Sequence, residues 1–312
     1  MSEVAAVIVT YNRKEKLRRC IDAVLSQNSK LKPDVFIVDN GSTDGTEDLI
    51  REIIVQSSDD ERNKIIYTNM HHNSGGAGGF CYGVRRTVEE GYSYLWLMDD
   101  DSIPSDTALE EFIRYNETHK GEFGFLSGKV LWTDGSLCRM NIPRETMYSN
   151  VKDWSRSVIP ISMASFISLF LPADIVKKVG LPIKEFFIWT DDWEYTRRIS
   201  RNYPCYLITG STVTHYCESP EGAKLATVES ERIGRFRYMY RNDVYLYRRE
   251  GIKGFCYEFI RLNVHALRVL FCGHTIREKV KRIGIMIKGT VEGLRFSPSP
   301  DYPCVEDKDS VN

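Results

Sequence analysis

The stretch Tyr94-Leu95-Trp96-Leu97-Met98-Asp99-Asp100-Asp101-Ser102 decides how this chain is organised. An apolar and aromatic run leads directly into three adjacent carboxylates, and Gly91 and Pro104 bound the segment. A short apolar run of this kind predicts a buried strand of a mostly parallel sheet. Ligands of open α/β sheets bind beyond the carboxyl ends of the strands, so we expect the carboxylates at the ligand edge.

The three adjacent carboxylates repel one another unless a cation or hydrogen-bond donors lie among them. Mg²⁺ or Mn²⁺ typically takes one or two carboxylates, several waters and the phosphates of a substrate. We therefore interpret Asp99 and Asp101 as cation ligands and place Asp100 in the donor-binding set. The alternative is a solvated acidic turn that caps the following helix.

Strands and helices alternate along the first hundred residues. Strands are predicted at 4–9, 35–38, 65–67 and 94–98, each of the first three followed by a helix, with a polar loop at 57–63. This alternation predicts a parallel, doubly wound sheet. The later pattern is looser, with a helix at 107–120, a strand at 123–130, short strands at 205–208 and 211–214, and helices from 229 onward.

The composition excludes several classes of protein. The 312 residues, 42% of them hydrophobic, suit one large domain with additions, and a net charge of -1 gives no basis for nucleic-acid binding. The eight cysteines form no CxxC pair, which argues against structural zinc. No signal peptide or spanning apolar run is evident, so we expect a cytoplasmic protein with free thiols.

Two further segments follow predicted strands at the same edge. Asp39 could accept hydrogen bonds from a uracil N–H or ribose hydroxyls, although an Asx turn would equally explain it. The glycines of 75–79 would let the backbone approach a ligand, with a helix N-terminus behind them. They do not form a dinucleotide fingerprint, because Cys81 occupies the position of the last glycine.

A second carboxylate pair lies in the other half of the chain. Asp191 and Asp192 stand between Trp189 and Trp193, a setting that suits a general base and a sugar ring. The alternative is the acidic first turn of a helix. His215 follows a predicted strand, and its neutral imidazole would complete an Asp/Asp/His cation site unless it is a structural hydrogen-bonder.

Four motifs in order resemble family 2 glycosyltransferases of the GT-A fold, over roughly residues 4–217. These motifs are Thr10-Tyr11-Asn12-Arg13, the stretch 38–46, the stretch 73–80 and Asp99-Asp100-Asp101. The stretch 187–195 (FIWTDDWEY) and the later His215 are similar to the galactofuranosyltransferase branch that synthesises mycobacterial galactan. The chain differs from those polymerases in being shorter and in having Trp-Thr-Asp-Asp where they have Lys-Trp-Asp-Asp.

The resemblance implies inverting transfer of galactofuranose from UDP-galactofuranose to a hydroxyl of a cell-envelope glycan or lipid-linked acceptor in bacteria. It implies that Asp99, Asp101 and His215 hold Mn²⁺ or Mg²⁺ on the diphosphate, with Asp192 as the base. Its predicted donor-binding residues are Thr10, Tyr11, Asn12, Arg13, Asp39, Asn40, Asn73, Gly75, Gly78 and Asp100. Its predicted acceptor or sugar pocket consists of Trp189, Asp191, Trp193 and Glu194.

Other functions remain open at this point. A rhamnosyltransferase that uses dTDP-rhamnose shares most of these motifs. A non-catalytic nucleotide-sugar binding protein would not need Asp192, and a nucleotidyltransferase would not need the tryptophan-flanked pair.

The expected domains are a GT-A catalytic domain at 1–228, with a nucleotide half at about 1–102 and an acceptor half at about 103–228, and a helical region at 229–312. That last region interleaves apolar side chains with Arg and Lys. Basic amphipathic helices of this kind bind the inner face of an anionic membrane as peripheral proteins, or pack in a bundle or a homo-oligomer. Both alternatives are kept.

Overall fold

The computed structural model describes residues 2–56 and 65–304, so the loop predicted at 57–63 lies outside the described residues. The strands are β1 (Val4–Thr10), β2 (Asp34–Asp39), β3 (Ile65–Asn69), β4 (Tyr94–Asp99), β5 (Ser102–Pro104), β6 (Leu126–Leu131), β7 (Arg144–Thr146), β8 (Ser149–Asn150), β9 (Val158–Pro160), β10 (Leu169–Pro172) and β11 (Tyr206–His215). The α-helices are α1 (Lys14–Leu25), α2 (Thr46–Gln56), α3 (Gly75–Glu89), α4 (Ala108–His119), α5 (Ala173–Val179), α6 (Asp191–Ser200), α7 (Phe236–Arg248), α8 (Gly251–Leu270) and α9 (Ile276–Arg295). Short 3₁₀ turns lie at Arg139–Asn141, Phe166–Ser168, Lys184–Phe186 and Ile233–Arg235.

A mixed, mostly parallel sheet forms the centre of the fold. Its strands follow the order β3-β2-β1-β4-β10-β6-β11-β5, and β9 pairs with β11. The strands β3, β2, β1 and β4 are mutually parallel, as the sequence predicts. The register pairs Thr10 with Asp39 and Val9 with Asp99, so the carboxyl ends of β1, β2 and β4 lie side by side.

The second half of the sheet departs from a simple parallel winding. Strand β10 runs antiparallel between β4 and β6, and β5 and β9 run antiparallel to β11. The two short strands predicted at 205–208 and 211–214 are one strand, β11, whose register against β6 shifts between Ile208 and Thr212. Its last residue, His215, pairs with Ser102, directly after the acidic motif.

Helices cover both faces of the sheet, and two apolar cores lie between them and the strands. Helix α3 lies very close to β1, because a Cβ added at Gly83 would stand 2.5 Å from a methyl of Val7. This packing fixes the start of α3 beside the ends of β1 and β2.

The C-terminal helices form a third layer with a core of its own. Helix α9 approaches α7 closely at Gly289 and Gly293, where an added Cβ would lie 2.5 Å and 2.7 Å from backbone carbonyl oxygens of α7. The fully buried Arg282 donates to the carbonyls of Leu225 and Val228, which ties α9 to the segment before α7. Among the residues described, we find no helix with the length and hydropathy that crossing a bilayer requires.

Candidate active site

The carboxylates that follow β4 are bound by side chains from the β1–α1 connection. Thr10 Oγ1 donates to Asp100 Oδ2 at 2.8 Å, and Arg13 Nη1 lies 3.2 Å from Asp100 Oδ1 and 3.0 Å from Asp101 Oδ2. Lys16 Nζ adds a contact of 3.3 Å to Asp101 Oδ2. Both Asp100 and Asp101 are buried, so the solvated acidic turn considered from the sequence is excluded.

The acidic cluster has unequal affinities for protons. Burial, together with the charges of Asp101 and Asp100, raises the pKa of Asp99 to about 7. Burial likewise raises the pKa of Asp100 to about 6, against the opposing effect of Arg13. Burial also disfavours ionised Asp101, but His215, Arg13 and Lys16 outweigh it and hold the pKa of Asp101 well below its usual value. The positive charges near Asp99 therefore do not compensate its burial and the two neighbouring carboxylates.

His215 lies against the same carboxylates, and a hydrogen bond on the opposite side of its ring fixes its orientation. Its Nε2 is 3.2 Å from Asp101 Oδ1, and its Nδ1 is 2.9 Å from Asn141 Oδ1. An amide oxygen only accepts, so Nδ1 carries a hydrogen and Nε2 faces the acidic side. Nε2 can donate to Asp101 when the ring is protonated, or offer its lone pair to a cation when the ring is neutral. Asn141 Nδ2 is itself held by Ser165 Oγ at 3.0 Å. Sequence reasoning missed Asn141, because a lone Asn in a loop carries no motif.

These residues suit a hard divalent cation. Asp99, Asp101 and His215 carry carboxylate oxygens and one imidazole nitrogen, the donor types that Mn²⁺ and Mg²⁺ bind, and their joint binding of one ion stays a prediction. The raised pKa of Asp99 marks excess negative charge that such an ion would compensate. The thiols of Cys138 and Cys217 also come within 4.8 Å of a ring nitrogen of His215, but its Nδ1 is already bonded to Asn141.

The predicted nucleoside-binding residues at the ends of β1 and β2 form one hydrogen-bonded edge. Asp39 Oδ1 accepts from the backbone N of Ser42, three residues on, at 2.8 Å, and Asp39 Oδ2 accepts from Tyr67 OH at 2.7 Å. Asn12 Oδ1 accepts from Thr43 N at 2.7 Å and joins the two loops. The side chain of Tyr11 stands exposed at the rim of this edge.

Most glycines at the start of α3 lie against protein atoms, whereas a Cβ at Gly76 would meet nothing within 4 Å. A Cβ at Gly75 would lie 2.0 Å from the carbonyl oxygen of Phe187, and one at Gly78 would meet the Ser74 side chain at 2.5 Å. Asn40 Nδ2 donates to Gly75 O at 3.1 Å, and Asn73 Oδ1 accepts from Gly75 N at 2.8 Å. The turn is therefore a link between β2 and the 187 segment, and its contact with a donor stays a prediction.

The second carboxylate pair opens helix α6. Asp191 is buried, and burial raises its pKa to about 6. Asp192 is half-buried, and its Oδ1 accepts from Trp193 N at 2.7 Å. Burial, then the charge of Asp191 and more weakly that of Asp99, raise the pKa of Asp192 well above its usual value. The two acidic groups, predicted from separate segments, are thus close enough for the charge of Asp99 to act on Asp192.

The segment before Asp191 has an unusual backbone. Phe187, Trp189 and Thr190 have φ values of 65°, 64° and 66°, a region that residues with a Cβ seldom adopt. Conformations of this kind cost about 1–3 kcal/mol each and persist only where the surroundings enforce them.

Helix α7 enforces this conformation. The buried Asn242 Nδ2 lies 3.0, 3.1 and 2.9 Å from the carbonyl oxygens of Phe186, Ile188 and Trp189. Thr190 Oγ1 donates to Asp243 Oδ1 at 2.8 Å.

Asp243 in turn bonds Arg261 of α8, and Arg261 Nε donates to Glu258 at 2.8 Å. Asn242, Asp243 and Arg261 are not among the predicted site residues, because they fall in the region predicted as separate helices. The division at 228/229 stays a prediction, and these contacts cross it.

Three residues predicted for the sugar and acceptor pocket have structural partners. Glu194 is buried and binds Arg198 through both oxygens, at 3.1 and 2.9 Å. Trp193 packs in a core cluster with the guanidinium of Arg144 4.7 Å from its ring centroid. Trp189 packs on Phe236, with ring centroids 5.0 Å apart. Each of these three side chains therefore has a packing or ion-pair partner within the protein, and its contact with a sugar or acceptor stays a prediction.

Comparisons with known proteins decide the family. Residues 5–125 match the profile of glycosyl transferase family 2. The chain is 26% identical over 274 residues to the galactofuranosyltransferase GlfT1 of Mycolicibacterium smegmatis, covering 80% of this chain and 84% of the relative. Residues 5–125 form a glycosyl transferase family 2 domain, and the enzyme is a glycosyltransferase.

Other relatives and solved structures agree on the fold of the enzyme. The glycosyltransferase AglE of Haloferax volcanii is 28% identical over 201 residues, covering 62% of this chain and 60% of AglE. TarS 1–349 of S. aureus, solved in complex with UDP, superposes with a TM-score of 0.53 at 13% identity, covering 92% of this chain and 71% of TarS 1–349. GalNAc-T7, solved with UDP, GalNAc and Mn²⁺, gives a TM-score of 0.58 at 12% identity, covering 79% and 50%. The enzyme therefore has the GT-A fold predicted from its motifs.

Proposed function

We propose that the enzyme transfers galactofuranose from UDP-galactofuranose to a hydroxyl of a cell-envelope glycan or lipid-linked glycan, with inversion at the anomeric carbon. The support is electrostatic: burial, then the charge of Asp191 and more weakly that of Asp99 at the acidic end of β4, raise the pKa of Asp192. In the proposal the donor diphosphate lies at the acidic end of β4, and Asp192 at the start of α6 supplies the base. The named activity of GlfT1, at 26% identity, favours the furanose donor.

In this proposal separate residues bind the nucleoside and the diphosphate of the donor. Asp39 and the 10–13 turn hold the nucleoside at the ends of β1 and β2. Asp99, Asp101 and His215 would hold Mn²⁺ or Mg²⁺, which neutralises the diphosphate of the leaving group when bound. Arg13 and Lys16, already within 3.3 Å of Asp101, add positive charge beside that diphosphate.

Asp192 performs the proton transfer. Its carboxylate accepts the proton of the acceptor hydroxyl while that oxygen forms a bond to the anomeric carbon and the carbon–phosphate oxygen bond breaks. UDP leaves with the bonding electrons. A raised pKa makes Asp192 a stronger base than an ordinary carboxylate, which suits this step.

The acceptor implies a location. The enzyme would bind a lipid-linked acceptor at the inner face of the cell membrane. We therefore propose that it is a cytoplasmic enzyme with peripheral membrane contact.

A donor panel tests the proposal. The enzyme is incubated with UDP-galactofuranose, UDP-galactopyranose, UDP-N-acetylglucosamine and dTDP-rhamnose, and slow release of the nucleotide is followed by chromatography. We expect turnover with UDP-galactofuranose and tighter binding of UDP than of GDP or ADP by calorimetry. Turnover of dTDP-rhamnose alone would replace the donor, and binding of UDP-sugars without turnover of any would identify a sensor.

A further inference from the structure

Helix α8 leaves a large apolar surface uncovered. Its inner side, including Gly254, Glu258 and Val269, is buried. Its outer side carries exposed large apolar residues along the whole helix: Ile252, Phe255, Phe259, Ile260, Val264, Leu267 and Leu270. A 20-residue helix is about 30 Å long, so exposed apolar side chains run along about 30 Å of the surface. Contiguous exposed apolar patches often mark sites where a protein or a membrane binds.

Helix α9, the next helix along the chain, exposes apolar residues in a different pattern. Its exposed apolar side chains recur at helical spacing: Ile276, Val280, Ile287, Val291 and Leu294. One position after each of four of them stands an exposed basic residue: Arg277, Lys281, Lys288 and Arg295. The exposed Phe271 lies in the turn between the helices. An apolar stripe with a basic stripe beside it is typical of helices that lie in a membrane interface.

The acidic side chains of α8 and α9 bind other side chains of the protein. Glu258 is buried against Arg261, Glu292 binds Arg237 of α7, and Glu278 accepts from Ser230 Oγ at 3.0 Å. Each acidic side chain of α8 and α9 therefore has a partner within the protein. The exposed charges on the two helices, which include Lys253 and Arg268, are basic.

We propose that the outer sides of α8 and α9, together with Phe271, form a docking surface for a bilayer that contains anionic lipid. We call it the α8–α9 face. A bilayer offers acyl chains to the apolar side chains and phosphate groups to the basic stripe. A second copy packed symmetrically on this face would bring basic stripes together, so charge complementarity favours lipid.

Hydrogen bonds connect helix α8 to the segment that carries Asp191 and Asp192. Arg261, on the inner side of α8, bonds Asp243, which accepts from Thr190 immediately before Asp191. A protein docked through α8 would thus hold its acceptor side near the lipid surface. That consequence rests on the proposed lipid-linked acceptor, whereas lipid binding itself does not.

Vesicle flotation of the full chain tests the proposal. Vesicles of phosphatidylcholine alone and of phosphatidylcholine with phosphatidylglycerol are compared at low and raised salt. We expect binding that requires the anionic lipid and weakens with salt. Replacing Phe255 and Phe259 by Ser, or Lys281 and Lys288 by Glu, should reduce it, with each lost positive charge costing about fivefold in affinity.

Matched controls make the outcome specific. Val55→Ser removes an exposed apolar residue elsewhere, and the pair Lys152→Glu with Lys178→Glu reverses exposed charges away from the face. These variants should float like the wild type.

Thermal unfolding and hydrolysis of a soluble donor by each face variant verify that the fold and the catalytic site survive, which separates this proposal from the proposed donor. Absence of wild-type flotation, equal binding to neutral vesicles, or a dimer in solution that the face variants dissociate would overturn it.

Discussion

Replacing Asn242 by Leu tests whether helix α7 holds the catalytic segment in its strained conformation. The change keeps a similar volume and removes the two N–H hydrogens that serve the carbonyls of Phe186, Ile188 and Trp189 at 2.9–3.1 Å. Two lost hydrogen bonds and the buried carbonyls left unpaired together cost about 2–4 kcal/mol. That cost competes directly with the positive φ values of Trp189 and its neighbours, so the segment should relax and displace Asp192.

The expected loss follows from this energy. If the native segment loses about 2–4 kcal/mol against a relaxed one, the active population and the turnover number fall by about 30-fold to 10³-fold. UDP affinity should be nearly unchanged, because Asn242 does not contact the acidic end of β4.

Steady-state kinetics, calorimetric UDP titration and thermal unfolding measure these effects. Asn202→Leu, at an exposed position after α6, is the matched control and should be silent. A folded Asn242→Leu protein with turnover within about threefold of wild type would refute the role given to α7.

Four other predictions concern the site itself. Asp192→Asn should lower turnover by about 10² or more while UDP binding survives, and full activity of this variant with a dead Asp191→Asn would reverse the assignment of the pair. Asp192 acts as a base in its deprotonated form, so turnover should rise as the pH rises through its raised pKa. Asp191→Asn removes a negative charge beside Asp192 and lowers the pKa of Asp192, so the acid limb of the pH profile should move to lower pH. Asp101→Ala, or EDTA added to the wild type, should abolish transfer, and undiminished activity in EDTA would remove the cation from the mechanism. Asn141→Leu should weaken Mn²⁺ binding by about 10-fold to 100-fold in titrations followed by electron paramagnetic resonance, since it frees the His215 ring to change tautomer, and unaltered Mn²⁺ affinity would contradict that role.

Much of the nucleotide half could be predicted from the sequence. Strands β1, β2 and β4 are continuous apolar runs, and in an α/β chain such runs form buried parallel strands whose carboxyl ends share one edge. The positions of Asp39 and Asp99 at that edge follow from chain order alone. The helical C-terminal region also follows from its apolar spacing, although the residues where the helices break do not.

Other features depend on partners distant in the sequence. The short β10 lies antiparallel between β4 and β6, and nothing in its four residues specifies either neighbour. The motif predicts Glu194 and Trp193 as pocket residues, and the sequence does not show that Arg198 and Arg144 contact them.

The local sequence by itself determined which segments become strands and helices and which carboxylates end them, because apolar periodicity and turn chemistry act over a few residues. Only the tertiary structure decided that Asn141 orients His215, and that Asn242 and Asp243 hold the segment before Asp192. A hydrogen bond between residues 50 or more positions apart leaves no periodic trace in either segment. Its energy is gained only after the surrounding core has closed and excluded water.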